Sequence, residues 1–241
     1  MTHPTQALHI PDTQSGRDER KLAIGSAMMY LSNARILANL VFSGVLERFP
    51  TVKFVSVESG IGWIPYFLER ADYVYQHHRE WTGTDFGDQL PSQTFLEKTI
   101  FCFIDDAFGL ESRHHIGVDR ICWECDYPHS DSTWPFSPET LAGSFGDASD
   151  HDIDRITHLN AMRHFGYDPF AALGGKQHCT VGALRAQAAG HDVSERSVLA
   201  HAIVIHGHTH MQEMKTRGDT LIVNPGEGCG WLYGSPSAAI L

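Results

Sequence analysis

ICWECDYPHSDSTWP, residues 121–135, decides how this chain is read. Ile121, Cys122 and Trp123 form a short apolar lead-in that predicts a buried strand. The lead-in breaks off into Glu124, Asp126, His129 and Asp131, and Pro128 and Pro135 stop regular structure. An apolar strand ending in a burst of ionisable groups is how a barrel or an open α/β sheet builds an active site. Asp126 is the first catalytic candidate, because a carboxylate held at a strand end can bind a divalent metal or take a proton from metal-bound water. A surface turn capped by Asp and Pro would use the same residues.

Working upstream, Lys53–Glu58 (KFVSVE) predicts a second strand. Glu58 ends it, and Ser59-Gly60-Ile61-Gly62 allow a tight turn into a helix over Trp63–Tyr75 with Pro65 in its first turn. Glu58 suits a pocket carboxylate or a helix N-terminal cap, while Trp63 reads first as packing. Leu22–Phe49 carries apolar residues at helical spacing, with Gly44 as a break and Phe49-Pro50 as the end. A third strand is expected over Thr99–Ile104, ending in Asp105-Asp106, where Asp106 would cap a short helix through Ser112. His77–Gln93 reads as a polar loop with solvent-facing His77 and His78, and His114-His115 as loop residues. The Cys122-x-x-Cys125 pair has no second pair to complete a zinc site and reads as structural.

Downstream, Ser137–Gly143 and Asp150–Phe165 predict helices, the second capped by Asp150 and stopped by Gly166. Phe170–Leu199 has linker character. The pattern then resets. Ala202–Ile205 and Thr220–Val223 predict strands, with edge strands over Trp231–Tyr233 and Ala238–Leu241. The first of these runs into His206-Gly207-His208-Thr209-His210. On an extended backbone His208 and His210 project to one side, which suits two ligands for one or two metals. Near the N-terminus, Ala7–Ile10 reads as a short strand carrying His9, a further ligand candidate.

Composition sets the limits. The 241 residues fit one α/β domain or two small ones. A hydrophobic share of 42% and a mean hydropathy of -0.22 indicate a globular, soluble chain. The net charge of -11 argues against a nucleic-acid backbone or an anionic membrane as partner and leaves a small-molecule substrate. Sixteen histidines against eighteen Lys plus Arg lean toward metal chemistry. Five scattered cysteines behind a polar start predict reduced thiols and a cytoplasmic chain without a membrane span.

Two resemblances follow from these stretches. LVFSGVLERFPTVKFVSVESGIGWIPYFLERADY (Leu40–Tyr73), CWECDYPHSDSTWP (Cys122–Pro135) and ITHLNAMRHFGYD (Ile156–Asp168) resemble the amidohydrolase-related family that includes aminocarboxymuconate-semialdehyde decarboxylase. The resemblance runs from about Ala27 to Val193. It implies a metal-dependent TIM barrel, with Asp126 as the last-strand metal ligand, His9 as the middle-strand His, and Glu58 where many members carry a strand-six His. No His-x-His opening strand is found, so the chain looks like the second half of a barrel, with open strand edges that a second copy would cover. IVIHGHTHMQEMKTRGDTLIVNPGEGCGWLYGSPSAAIL (Ile203–Leu241) resembles the C-terminal end of small calcineurin-like metallophosphoesterases. That resemblance makes His208 and His210 ligands of a two-metal site.

The expected architecture is therefore α/β: a partial TIM-barrel half over residues 1–193, a junction over 194–201, and a short β-rich metallophosphoesterase-like segment over 202–241. The resemblances imply a metal-dependent hydrolase or decarboxylase with an incomplete site. Its divalent metal would be Zn or Mn, Asp126 the catalytic residue, and Glu58, Trp63 and His129 the lining of the substrate pocket. A phosphodiesterase using His208 and His210 is the second reading, and a non-catalytic truncated fusion product the third.

Overall fold

Three apolar runs make one parallel sheet in the order β1-β2-β3: β1 (Phe54–Ser56), β2 (Thr99–Phe103) and β3 (Ile121–Trp123). Phe54 stands opposite Thr99, and Phe101, Cys102 and Phe103 stand opposite Ile121, Cys122 and Trp123. The computed structural model describes residues 18–127, 129, 131–190, 203–205, 213–217 and 220–224. Its contacts group into two units, Met1–Cys125 with Pro135–Asp168, and Asp126–Trp134 with Pro169–Leu241.

In the first unit, all five residues of β2 are buried, as a central parallel strand covered on both faces requires. Phe101 and Phe103 face the main core with Ile61, Ile64, Leu68, Phe95, Leu110 and Ile121. Ile100 and Cys102 join Cys122 on the other face, against Ala161. Each fully buried Phe or Ile contributes about 1.5–3 kcal/mol. The Cys102 thiol bonds to Cys122, and that bond together with burial pushes Cys102 far above the usual thiol value. Cys125 lies beyond the strand with its Sγ 3.6 Å from Ser137 Oγ, so Cys122 and Cys125 have separate surroundings. Both are free thiols.

Helix α1 (Asp18–Phe42) buries Leu37 and Val41 and ends before Gly44, whose φ of 72° turns the chain into α2 (Val45–Arg48). Helix α3 (Ile64–Thr82) has Pro65 in its first turn and buries Ile64, Leu68, Ala71 and Tyr75 along one face. It runs beyond the expected end. His77 stacks on Tyr73 with ring centroids 4.0 Å apart, Trp81 meets His78 edge-on, and Gly83 at φ 68° closes the helix. His77 is exposed and His78 half-buried. The expected loop also ends early, because Pro91–Lys98 forms α4, with Gln93 Oε1 accepting the Leu90 N–H at 2.7 Å. Its Phe95 fills the core, and that tertiary contact outweighs the polar look of the segment. Asp106 does cap α5 (Ala107–Glu111), whereas His114 and His115 belong to α6 (Arg113–Ile116) and not to a loop.

After α7 (Ser137–Phe145), the expected long helix appears as α8 (Asp150–Asp154), a π-type turn over Arg155–Leu159 and α9 (Asn160–Phe165), stopped by Gly166 at φ 63°. The cap is Ser149, whose side chain accepts the Asp152 N–H; Asp150 lies inside the helix. Asn160 is 1% exposed and donates to the Val118 and Ile121 carbonyls at 2.7 and 2.8 Å, tying α9 to the start of β3. Arg113 donates to Asp152 Oδ2 at 2.9 Å in a largely buried ion pair.

The Arg113 hydrogen bond, opposed by burial, holds the Asp152 carboxyl below the usual range. A carboxyl lowered in the folded state adds stability above its unfolded value, about pH 4, and that stability is lost as pH falls through the folded value. Asp152→Asn is therefore expected to cost about 1–2 kcal/mol at pH 7. The gap to the parent should shrink below about pH 4, as read from urea melts across the pH range. A pH-independent difference would show that charge plays no part.

In the second unit, Pro169–Ala172 and Val181–Gln187 form short helices α10 and α11. Strands β4 (Ile203–Ile205), β5 (Glu213–Arg217) and β6 (Thr220–Asn224) form a sheet ordered β4-β6-β5, parallel between β4 and β6 and antiparallel between β5 and β6. The polar run of β5 carries little apolar alternation and was not expected as a strand. The expected edge strands over Trp231–Tyr233 and Ala238–Leu241 lie outside the described residues. Among the described residues no helix is long and apolar enough to cross a membrane.

Candidate functional site

Each parallel strand is followed within three residues by a carboxylate: Glu58 after β1, Asp106 after β2 and Glu124 after β3. Among the described residues, Glu58 (φ 51°) and Asp126 (φ 58°) are the non-glycine residues with left-handed backbone. That conformation costs an L-residue about 1–2 kcal/mol, and such strain collects at functional sites.

Beyond β1, the Glu58 N–H donates to Glu124 Oε1 at 2.7 Å. Glu124 is anchored in turn by its own N–H, which donates to the Phe103 carbonyl at 2.9 Å and carries the β2–β3 ladder one residue further. Asp106, at the end of β2, accepts the Ile61 and Gly62 N–H groups on Oδ2, both at 2.7 Å, and the Gly109 N–H on Oδ1 at 2.8 Å. Ser56 and Ser59 join their hydroxyls at 2.7 Å inside the same turn. Trp63 donates from Nε1 to the Ser59 carbonyl at 2.9 Å, and its ring meets Phe67 edge-on against the core.

Past β3 the chain continues through Cys125 into a turn closed by the His129 N–H on the Asp126 carbonyl at 2.8 Å. That turn brings His129 Nδ1 to 2.6 Å from Asp126 Oδ2, with each side chain about four-fifths buried (22% and 20% exposed). Two donors bound to one ion at about 2.1 Å stand roughly 3 Å apart, so a cation would only have to part these two slightly. A carboxylate oxygen and an imidazole nitrogen are a donor set that suits a divalent metal such as Zn or Mn.

Of the expected site residues, the structure thus joins Asp126 to His129, pins Glu58 by its backbone to Glu124, and sets Trp63 on the Ser59 turn. His9, His208 and His210 lie outside the described residues. Sequence reasoning gave Glu124 no task and saw Asp106 only as a helix cap. The available signal was that each follows a buried strand within three residues.

The model of the amidohydrolase family matches residues 29–167, more than half of the chain. The chain belongs to the amidohydrolase family. The model of the calcineurin-like phosphoesterase superfamily domain matches residues 152–241. The amidohydrolase chain is similar in fold to the solved 5-carboxyvanillate decarboxylase LigW from Sphingomonas paucimobilis, with a TM-score of 0.50, 20% identity, and cover of 58% of this chain and 41% of that one. It also matches an amidohydrolase from Mycobacterium avium subsp. paratuberculosis, with a TM-score of 0.47, 21% identity, and cover of 61% and 40%. A curated relative, phosphodiesterase MJ0936 of Methanocaldococcus jannaschii, is 49% identical over 39 residues, which are 16% of this chain and 24% of that protein. The chain spans under half the length of each of these proteins.

Proposed function

We propose that the amidohydrolase part is a metal-dependent hydrolase or decarboxylase acting on a small carboxylated or amide substrate. The observation that carries this is the 2.6 Å approach of His129 to Asp126 on a left-handed turn just past a parallel strand. Asp126 and His129 would each give one ligand atom to a divalent ion. A bound ion supplies Lewis acidity and an acidified water. In that setting Asp126 would accept the proton and His129 would orient the substrate, with Glu58 as a further proposed pocket residue and Trp63 as the one that would exclude water.

On this reading β1-β2-β3 are consecutive strands of a half barrel with an incomplete site. A second copy would cover the open strand edges. On this reading residues 1–193 are the amidohydrolase piece, 194–201 the junction and 202–241 a phosphoesterase-derived segment. The reduced thiols suit the cytoplasm. The 39-residue match favours a second reading, in which His208 and His210 hold metal against a phosphodiester.

Metal titration of the full chain, paired with two assays, tests both readings. The first expects Mn- or Zn-dependent turnover of a carboxylated or amide substrate that Asp126→Ala abolishes and His208→Ala spares. Turnover of bis(p-nitrophenyl) phosphate that depends on His208 and not on Asp126 would replace it with the second. Metal content well below one per chain would overturn both and leave a non-catalytic fusion product.

A further inference from the structure

We infer that Cys102 and Cys122 form a redox latch: an oxidant of the peroxide class joins the two thiols in a reversible disulfide that ties β2 to β3. Neither thiol enters the metal reading, so the two proposals fail separately.

Cys102 and Cys122 are register partners on adjacent parallel strands. Both pack in the small cluster with Ile100, on the face away from Phe101 and Phe103. Adjacent strands run about 4.8 Å apart. That lies inside the span of about 4.4–6.8 Å between Cα atoms that a disulfide bridges. The two sulfurs already share a hydrogen bond. The other described cysteines have different surroundings: Cys125 meets Ser137, and Cys179 donates to the Pro169 and Gly175 carbonyls. The paired thiols are 6% and 2% exposed, so an oxidant reaches them on local opening. β3 has three residues and, among the described residues, pairs with β2 alone. Helix α9 packs Ala161 on the pair and is tied down by Asn160. A short strand under a short helix gives the thiols their route to the oxidant.

The bond from Cys102, opposed by burial, lowers the Cys122 thiol and raises Cys102. Cys122 therefore reacts first. Its thiolate attacks one peroxide oxygen and the O–O bond breaks. This leaves a sulfenic acid on Cys122 and a hydroxide, which takes up the thiol proton as water. The Cys102 sulfur then attacks the Cys122 sulfur, the S–O bond breaks, and the second hydroxide leaves as water with the Cys102 proton. The thiols have lost two electrons and two protons, and one peroxide has become two waters.

The test adds hydrogen peroxide to the full chain, blocks the remaining thiols and reads the digest by mass spectrometry. A cross-link between Cys102 and Cys122, removed by dithiothreitol, should appear in most chains. The same treatment in urea should drop that pairing to no more than about one chain in ten, because five cysteines then pair at random. The cross-linked chain should melt about 5 °C or more above the reduced one, and dithiothreitol should return it. Cys125→Ser should cross-link like the parent. A parent in which Cys102 and Cys122 stay reduced, or pass to sulfinic acids, overturns the inference without recourse to any variant. So does a cross-link that forms as readily in urea as in the folded chain, or one that leaves the melting temperature unchanged.

Discussion

Asp126→Asn will weaken divalent-cation binding by about a hundredfold or more and leave the melting temperature close to that of the parent. Asparagine has nearly the same shape and, like aspartate, tolerates the left-handed backbone recorded at φ 58°. The substitution removes the charge and leaves the turn. At 2.6 Å from His129 Nδ1, the Asp126 oxygen would be the negative half of the proposed donor pair, and an amide oxygen is a far poorer ligand for a divalent ion. Asp126→Gly makes the converse point. It abolishes binding as thoroughly, yet it relieves the backbone strain and should stabilise the chain by about 1 kcal/mol. A variant that gains stability while losing the ion is the signature of a residue kept for chemistry at the expense of the fold. Calorimetric titration beside thermal melts reads both. Binding within a few-fold of the parent in Asp126→Asn would remove Asp126 from the ligand set.

What the sequence discloses and what it hides differ for a physical reason. β1, β2 and β3 are legible because each is a short apolar run ending abruptly in charge, a pattern that needs no knowledge of neighbours. Asp126 and His129 are legible for the same reason, as they sit three apart beyond such a run. The boundaries set by long-range contacts are not. Pro91–Lys98 looks polar and becomes helix because Phe95 packs on Phe67 and Phe101, with ring centroids 5.0 and 5.3 Å away. Helix α3 outlasts its apolar pattern through ring stacking on its exposed side. Roles within the acidic set are the hardest to read. Glu58, Asp106 and Glu124 are alike in one dimension, and only the 2.7 Å bonds to backbone N–H groups show that Asp106 and Glu124 hold a turn. The described amidohydrolase core thus follows the expected α/β layout, with the changes confined to helix ends and loops.

Gly109→Ala should destabilise the chain by about 3 kcal/mol or more, against the trend for alanine in a helix. Gly109 is buried in α5, and alanine would ordinarily gain about 1 kcal/mol there by propensity. Here an added Cβ would overlap Ile61 Cγ1 outright and sit 2.8 Å from Asp106 Cγ and Oδ2. Ile61 is fully buried and cannot swing aside. Asp106 cannot retreat without lengthening its bonds to Ile61, Gly62 and Gly109, each worth about 1.5–3 kcal/mol as a charge-assisted bond. The displacement would pass along the Glu58–Gly62 turn. Ile61→Ala opens room for the methyl group at its own cost of about 2–5 kcal/mol. The double variant should therefore be less destabilised than the sum of the singles, by about 1 kcal/mol or more. Urea melts of the four chains measure that coupling. A Gly109→Ala melt indistinguishable from the parent would mean that the turn can yield.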